Sequence, residues 1–142
     1  MKDFPRKIAV DAGVFVALLI KKESTHKPCI EALDALPEAI EFFTTESCLA
    51  EACYLGPEDT SFSTELHKLV NRLTINIVPL TRDSLDRTFT LINKYKDLPM
   101  DFADGTLVAA CETHNIEYVL TVDRRDFSIY RPKHCKGFIL LP

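Results

Sequence analysis

The fold is decided by the stretch KIAVDAGVFVALLI at residues 7–20. Lys7 to Val10 has the character of a short buried strand, and the apolar run from Val14 to Ile20 predicts the first turns of a helix. A strand followed by a helix is the unit from which parallel sheets are built. Asp11 stands between the two. The segment therefore predicts an α/β fold with an acid at the end of its first strand.

The same alternation of strand and helix patterns continues along the chain. Further strands are predicted at 40–44, 75–79 and 118–122, with an edge strand at 138–141. Helices are predicted at 25–36, 47–55, 66–73, 82–95 and 101–114, with Ser47 as one N-cap and Asn115 as one terminator. Strands separated by helices imply right-handed crossovers. We expect a three-layer α/β/α sandwich with a mainly parallel sheet of four or five strands.

Length and composition indicate one globular domain. The chain has 142 residues, of which 46% are hydrophobic, with no repeat and no Gly/Ser linker, so we expect a single domain over residues 1–142. No stretch approaches the roughly 20 apolar residues that span a bilayer. The polar start Met1-Lys2-Asp3 is unlike a signal peptide. We therefore expect a cytoplasmic protein with no membrane partner.

Cysteine usage and charge narrow the function further. The five cysteines, at 29, 48, 53, 111 and 135, include no CxxC pair, which favours reduced thiols packed as small hydrophobes. The formal charge is −4, which argues against strong nonspecific binding of polyanions. Basic residues gather near the end of the sequence. Among them, Arg124 and Arg125 are weak candidates for phosphate contacts, with a solvated surface as the alternative.

Four acids interrupt apolar runs at separate points of the chain: Asp11, Glu51, Asp104 and Asp123. Asp11 and Asp123 follow predicted strands, and functional groups of an open parallel sheet gather beyond the carboxyl ends of its strands. Glu51 and Asp104 lie early in helices that follow loops. Glu51 has apolar neighbours on both sides, so we expect its helix to have a narrow exposed face. We expect all four carboxylates to converge on one crevice.

Each acid also has a simpler explanation. Asp104 favours the positive end of its helix, Asp101 is a plausible N-cap, and Asp123 is typical of a turn. Four buried carboxylates in one crevice would cost several kcal/mol unless a cation offsets their repulsion. Oxygen ligands without histidine favour Mg²⁺ or Mn²⁺ over zinc. Such an ion acts on phosphate oxygens and activates water, so the implied reaction is phosphodiester hydrolysis.

Four segments resemble the PIN domain in order and spacing. They are Ile8-Ala9-Val10-Asp11, Leu49-Ala50-Glu51-Ala52, Asp101-Phe102-Ala103-Asp104-Gly105 and Leu120-Thr121-Val122-Asp123-Arg124-Arg125-Asp126-Phe127. The sequence is most similar to VapC-like toxins of type II toxin-antitoxin pairs. The resemblance implies an Mg²⁺- or Mn²⁺-dependent endoribonuclease, a VapB-like antitoxin partner and a homodimer. Arg82 to Tyr95 is a candidate dimer helix, although the same residues also suit a core.

The resemblance assigns roles to individual residues. It makes Asp11, Glu51 and Asp104 the principal metal ligands, and Asp123 completes the acidic set. Three residues would help to order the site, namely Thr121, Asp101 and Asp126. An N-cap is the alternative for Asp101 and a turn is the alternative for Asp126.

One departure from the family pattern leaves alternatives open. The family often has Ser or Thr within two residues after the first acid, whereas Ala12 and Gly13 stand here. The Gly13 backbone could approach a phosphate instead. A degenerate PIN domain that binds RNA or protein without cleavage is the main alternative. Receiver and haloacid-dehalogenase domains also use acids at strand ends, but the latter needs an Asp where Gly13 stands.

Overall fold

A computed structural model of the chain describes residues 5–142, so the expectation about Met1-Lys2-Asp3 lies outside the described residues. In these residues the chain forms β1 (Lys7–Val10), α1 (Ala12–Leu19), α2 (His26–Asp34), β2 (Glu41–Thr45), α3 (Glu46–Leu55), α4 (Thr60–Arg72), β3 (Asn76–Val78), α5 (Arg82–Lys94), α6 (Phe102–His114), β4 (Tyr118–Leu120), α7 (Arg124–Ile129) and β5 (Ile139–Leu141).

The strands form one five-stranded sheet in the order β3-β2-β1-β4-β5, and each pairing in the described residues is parallel. β1 lies at the centre, with Ile8 paired to Phe42 of β2 and to Tyr118 of β4. The chain adds β2 and β3 on one side of β1 and then returns to add β4 and β5 on the other. Strand order therefore reverses at β1 and β4, where open α/β sheets place their ligand crevice.

The helices cover both faces of this sheet. α1 packs against α2, α3 and α4, which belong to the two crossovers on one side of β1. α5 and α6 pack against each other in the return crossover from β3 to β4. Right-handed crossovers in opposite directions put their helices on opposite faces. The expected three-layer arrangement with a parallel sheet is confirmed, and the sheet has five strands.

The core is built on the two central strands and on α6. Ile8 of β1 and Val119 and Leu120 of β4 are completely buried. In α6 every residue from Ala103 to Cys111 is buried. Three of the five cysteines, Cys29, Cys48 and Cys111, are buried as the sequence indicated, and all five are free thiols. α6 is thus the most buried helix among the described residues. A charged side chain in its first turn therefore needs compensating contacts within the protein.

Helix α5 contributes both to the core and to the surface. Leu91 is fully buried and Tyr95 nearly so, which supports the core interpretation of the candidate dimer helix. Phe89, however, is 57% exposed and lies 5.8 Å from the Phe102 ring, measured between ring centroids. The helix therefore has an aromatic residue on its outer surface in addition to its core residues.

Some local predictions were wrong. α3 begins at Glu46, and its N-cap is Thr45, whose hydroxyl accepts a hydrogen bond from Cys48 N. Ser47 is not the cap, because β2 continues to Thr45 and the helix starts directly after it. The short helix Arg124–Ile129 was not predicted. Asn115 does end α6, in a left-handed conformation with φ of 54°.

Within residues 5–142, each helix is too short or too polar to cross a bilayer.

Close packing of α5 against α6 predicts the effect of one substitution. A Cβ at Gly105 would lie 2.9 Å from Thr88 Cγ2 and 3.4 Å from the Thr88 carbonyl oxygen. Gly105→Ala should lower the free energy of unfolding by about 1–2 kcal/mol, because overpacking outweighs the gain in helix propensity. Urea unfolding measures the change.

Thr88→Ser provides the matched control for this prediction. Serine lacks the Cγ2 methyl but retains the hydroxyl that Thr88 donates to the Ser84 carbonyl over 2.7 Å. In the Thr88→Ser background, Gly105→Ala should cost less than it does alone. Equal costs in the two backgrounds would show that contact with this methyl is not what keeps residue 105 a glycine.

Candidate metal centre

The carboxyl ends of β1 and β4 bring two of the predicted acids together through one threonine. Asp11 caps α1: its Oδ1 accepts a hydrogen bond from Ala12 N at 2.8 Å. Its Oδ2 accepts a second bond from the Thr121 hydroxyl, also at 2.8 Å. The same hydroxyl oxygen accepts a hydrogen bond from Asp123 N at 2.9 Å. Thr121 therefore links the acid that follows β1 to the acid that follows β4.

Asp104 enters the crevice from the first turn of α6. Its backbone N–H donates to Asp101 Oδ1 at 2.8 Å, so Asp101 is the N-cap that the sequence suggested. Its side-chain Oδ2 accepts a hydrogen bond from the Tyr130 hydroxyl at 2.8 Å. Only 9% of Asp104 is exposed. The carboxylate is therefore buried with one oxygen already bound to a protein donor.

The short helix α7 adds two acids to Asp104. One carboxylate oxygen from each of Asp104, Asp123 and Asp126 lies within 4.8 Å of the other two. Asp123 is the N-cap of α7 and accepts a hydrogen bond from Asp126 N, which places Asp126 one turn further along the chain. Asp126 is thus a member of the acidic cluster, whereas the resemblance implied only an auxiliary position for it.

Glu51 lies on α3 at the edge of this crevice. Its pKa is raised to about 6, first by burial and then by the nearby charges of Asp101 and Asp11. The prediction that this helix has a narrow exposed face was wrong, since Tyr54 is 86% exposed and Leu55 is half exposed. α3 has a broad outer face with apolar residues on it. Glu51 nevertheless lies close enough to Asp101 and Asp11 for their charges to raise its pKa.

Burial and mutual repulsion hold the carboxyl pKa values above their usual range. The pKa of Asp104 is raised to about 8, first by burial and then by the charges of Asp11 and Asp101. Burial raises the pKa of Asp11 to about 6, although hydrogen bonds from Thr121 and Ala12 act in the opposite direction. Burial also raises the pKa of Asp123. Without a cation, the crevice therefore binds protons in the neutral pH range.

The donor atoms in this crevice suit a hard cation. Within residues 5–142, the carboxylates of Asp104, Asp123 and Asp126 form a cluster that includes no histidine or cysteine. Cys48 lies near Asp11, but burial raises its thiol pKa to about 12, so it stays protonated. Carboxylate oxygens without nitrogen or sulfur donors fit Mg²⁺ or Mn²⁺. The residues present are therefore compatible with the ion that the sequence implied.

The remaining candidates are two arginines and the segment Ala12-Gly13. Arg124 donates a hydrogen bond to the Pro142 carbonyl oxygen, and Arg125 is exposed. A Cβ at Gly13 would meet Val122 Cγ2 at 2.7 Å, so close packing accounts for this glycine. The Ala12 backbone N–H is bound to Asp11. Both arginines lie near Asp123 in the chain, but only Arg124 has a protein acceptor assigned to it.

Sequence reasoning missed Tyr130. Its hydroxyl contacts Asp104, yet in the sequence it is a single tyrosine beyond the last acidic motif. An isolated aromatic residue is typical of a core, and Tyr130 is indeed fully buried. The spacing of four residues between Asp126 and Tyr130 was the available signal, but it depends on recognising α7 as a helix.

Comparison with known proteins assigns most of the chain to one family. A sequence model described as PIN domain matches residues 8–131. The chain is 24% identical over 136 residues to Ribonuclease VapC26 of Mycobacterium tuberculosis, covering 94% of this chain and 98% of that protein.

Solved structures share the fold at low sequence identity. VapC20 of M. tuberculosis, described as a Sarcin-Ricin loop cleaving toxin, has a TM-score of 0.73 at 15% identity, covering 83% of this chain and 91% of that one. A toxin-antitoxin complex from Klebsiella pneumoniae has a TM-score of 0.60 at 18% identity, covering 86% and 91%. With the match over residues 8–131 and the acids at the carboxyl edge of the sheet, the chain belongs to the PIN domain family.

Proposed function

We propose that this protein is a metal-dependent endoribonuclease and the toxin of a type II, VapBC-like pair. The observation that carries the proposal is the convergence of carboxylates: one oxygen each of Asp104, Asp123 and Asp126 lies within 4.8 Å of the other two, and Asp11 is linked to Asp123 through Thr121. Such an arrangement is unfavourable in an apo protein and is typical of a cation site. We further propose that residues 1–142 form a single PIN domain. Membership of this family sets aside the receiver and haloacid-dehalogenase interpretations.

In this proposal Asp11, Glu51, Asp104 and Asp123 are the metal ligands and the catalytic residues. The Mg²⁺ or Mn²⁺ that they hold would polarise a phosphoryl group and lower the pKa of attacking water. Thr121 and Asp101 orient the acids through their hydrogen bonds to Asp11 and to the Asp104 backbone.

RNA is the proposed substrate because the relative VapC26 is named a ribonuclease and VapC20 is described as a loop-cleaving toxin. A VapB-like antitoxin is the proposed partner, since one structural neighbour is a toxin-antitoxin complex. Arg124 and Arg125 are both exposed and are weak candidates for phosphate contacts. A homodimer is proposed with the outer face of α5, where Phe89 is exposed, as its candidate interface. The cytoplasmic location stays a prediction.

A PIN domain that binds without cleaving is the second candidate, favoured by the absence of a hydroxyl at positions 12 and 13. Another residue supplies a hydroxyl, however, because the Thr121 side chain donates a hydrogen bond to Asp11. A hydroxyl group therefore does contact the first acid, although it comes from the residue that follows β4. This contact favours the catalytic proposal.

Asp104→Asn should lower RNA cleavage by about 100-fold or more, because the loss of one charged ligand weakens stabilisation of the transition state by several kcal/mol. Asparagine retains an oxygen that can accept from Tyr130, so the fold should survive. Cleavage of structured and unstructured RNA in Mg²⁺ and in Mn²⁺ measures the effect.

Asp34→Asn is the matched control, since it removes the same charge from an exposed position at the end of α2, outside the candidate dimer face of α5. It should cleave like the wild type. Undiminished cleavage by Asp104→Asn would remove this residue from the mechanism. Metal binding by the wild type without cleavage of either RNA would favour the binding-only alternative.

The raised pKa values predict how stability depends on pH. Asp104 and Asp11 have ordinary pKa values of 3.8 and folded-state values of about 8 and about 6. The folded state therefore binds these protons more tightly, and the stability this gives is complete below about pH 4 and is lost as the pH rises through 6 and 8. The Tm of metal-free protein should fall between about pH 5 and pH 8.5, and Mg²⁺ should restore it at the higher pH.

Other groups also titrate over this range, so the informative quantity is the Tm difference between wild type and Asp104→Asn. Without metal at about pH 8.5, the variant should be more stable by on the order of 1–2 kcal/mol, because one repelling charge is gone. Near pH 5 the two should converge. A variant less stable than the wild type at both pH values would contradict the electrostatic account.

Induced expression in bacteria tests the toxin proposal. Wild type should arrest growth, whereas Asp104→Asn should not, because arrest would depend on cleavage. Asp34→Asn should arrest growth like the wild type, and immunoblotting should verify equal protein levels. Normal growth of cells that contain abundant wild-type protein would argue for a role other than toxicity.

A further inference from the structure

Tyr130 lies at a junction between α6, α7 and the crevice. It is fully buried and directly follows α7, where its backbone N–H donates to the Asp126 carbonyl. Its ring packs against Tyr95 and Phe127, each with a centroid separation of 5.1 Å. The ring is thus held by aromatic packing and its backbone by the helix. The position of the hydroxyl is therefore set by the fold.

The Tyr130 hydroxyl donates to Asp104 Oδ2 over 2.8 Å. A carboxylate rotates about its last side-chain torsion with little resistance, so a single fixed donor restricts its orientation. The bond uses one oxygen of Asp104 and leaves the lone pairs of the other oxygen for a ligand.

The same short helix supplies both this donor and two neighbouring acids. Asp123 begins α7 and Tyr130 follows its last residue. One oxygen each of Asp123 and Asp126 lies within 4.8 Å of an Asp104 oxygen. The Tyr130 hydrogen bond therefore fixes Asp104 of α6 relative to the acids of α7. Its loss would free the two sets of carboxylates to separate under their mutual repulsion.

We propose that Tyr130 is a positioning residue of the metal centre, which holds the Asp104 carboxylate in the orientation that binds a divalent cation. This inference rests on the proposed metal-dependent function. It assigns no contact with substrate or metal to Tyr130 itself. Its effect is transmitted through the hydrogen bond to Asp104.

Tyr130→Phe tests the proposal, because it removes the hydroxyl and preserves the ring. Mn²⁺ binding to the full-length protein, measured by calorimetry and by the electron paramagnetic resonance of free Mn²⁺, should weaken by about 10- to 100-fold. The Mg²⁺ concentration that gives half-maximal RNA cleavage should rise by a similar factor. A purely structural role would lower Tm in EDTA without changing either quantity.

Tyr95→Phe is the matched control from the same aromatic cluster. The Tyr95 hydroxyl accepts a hydrogen bond from Arg131 N at 2.7 Å and makes no bond to the acids. This variant should bind Mn²⁺ like the wild type, even if its Tm falls. Equal weakening by both variants would attribute the effect to loss of packing and overturn the role of the hydroxyl.

The outcomes separate this inference from the proposed function. If wild type and Tyr130→Phe bind Mn²⁺ equally well, the positioning role is wrong and the metal-dependent function stands. If wild type binds no Mn²⁺ and cleaves no RNA, the proposed function fails and the positioning role fails with it. Weaker binding by Tyr130→Phe alone supports both.

A second measurement keeps the test decisive if Tyr130→Phe does not fold. The chain contains four tyrosines, so wild-type protein labelled with 3-fluorotyrosine should give four ¹⁹F signals. Single Phe substitutions at Tyr54, Tyr95 and Tyr118 assign three of them, and the fourth belongs to Tyr130. Mg²⁺ should shift the Tyr130 signal most. A Tyr130 signal that does not move while calorimetry records binding would overturn the proposal.

Discussion

Repulsion among carboxylates at the carboxyl edge of the sheet is the constraint on which the candidate site depends. Asp11 and Asp104 are buried there, and the pKa of each is raised, to about 6 and about 8. Burial supplies the largest part of each rise, and neighbouring negative charge adds to it. A fold that keeps such an arrangement must hold the acids in place and needs protons or a cation to compensate them.

The fold meets the first requirement with a few hydrogen bonds. Thr121 holds Asp11 and the backbone of Asp123, so the acids after β1 and β4 share one hydroxyl. Asp101 caps α6 beneath Asp104, and Tyr130 binds the Asp104 side chain. The two donors, Thr121 and Tyr130, are distant in sequence from the acids whose side chains they bind, whereas the Asp101 carboxylate accepts locally from the Asp104 N–H. The central sheet and α7 thus determine the geometry of the crevice together.

The sequence predicted the parts of this structure that follow from local patterns. Asp11 could be placed because a buried strand directly precedes it, and the parallel sheet followed from the alternation of strands and helices. The six-residue helix Arg124–Ile129 is too short to show helical periodicity, so Tyr130 could not be connected to the acids. Thr45 and Ser47 are both plausible caps, and only the length of β2 decides between them. The exposed face around Glu51 depends on tertiary packing that flanking residues do not reveal.

An anomalous diffraction map of crystals soaked in MnCl₂ would test the central claim most directly. The account predicts an Mn²⁺ peak bounded by oxygens of Asp11, Asp104 and Asp123, at the distances of about 2.0–2.2 Å typical of small hard cations. Asp126, whose carboxylate belongs to the same cluster, should lie beside this peak. Glu51 should lie at the same site, either as a direct ligand or through water. An empty crevice at saturating Mn²⁺, or a peak bound elsewhere, would contradict the account.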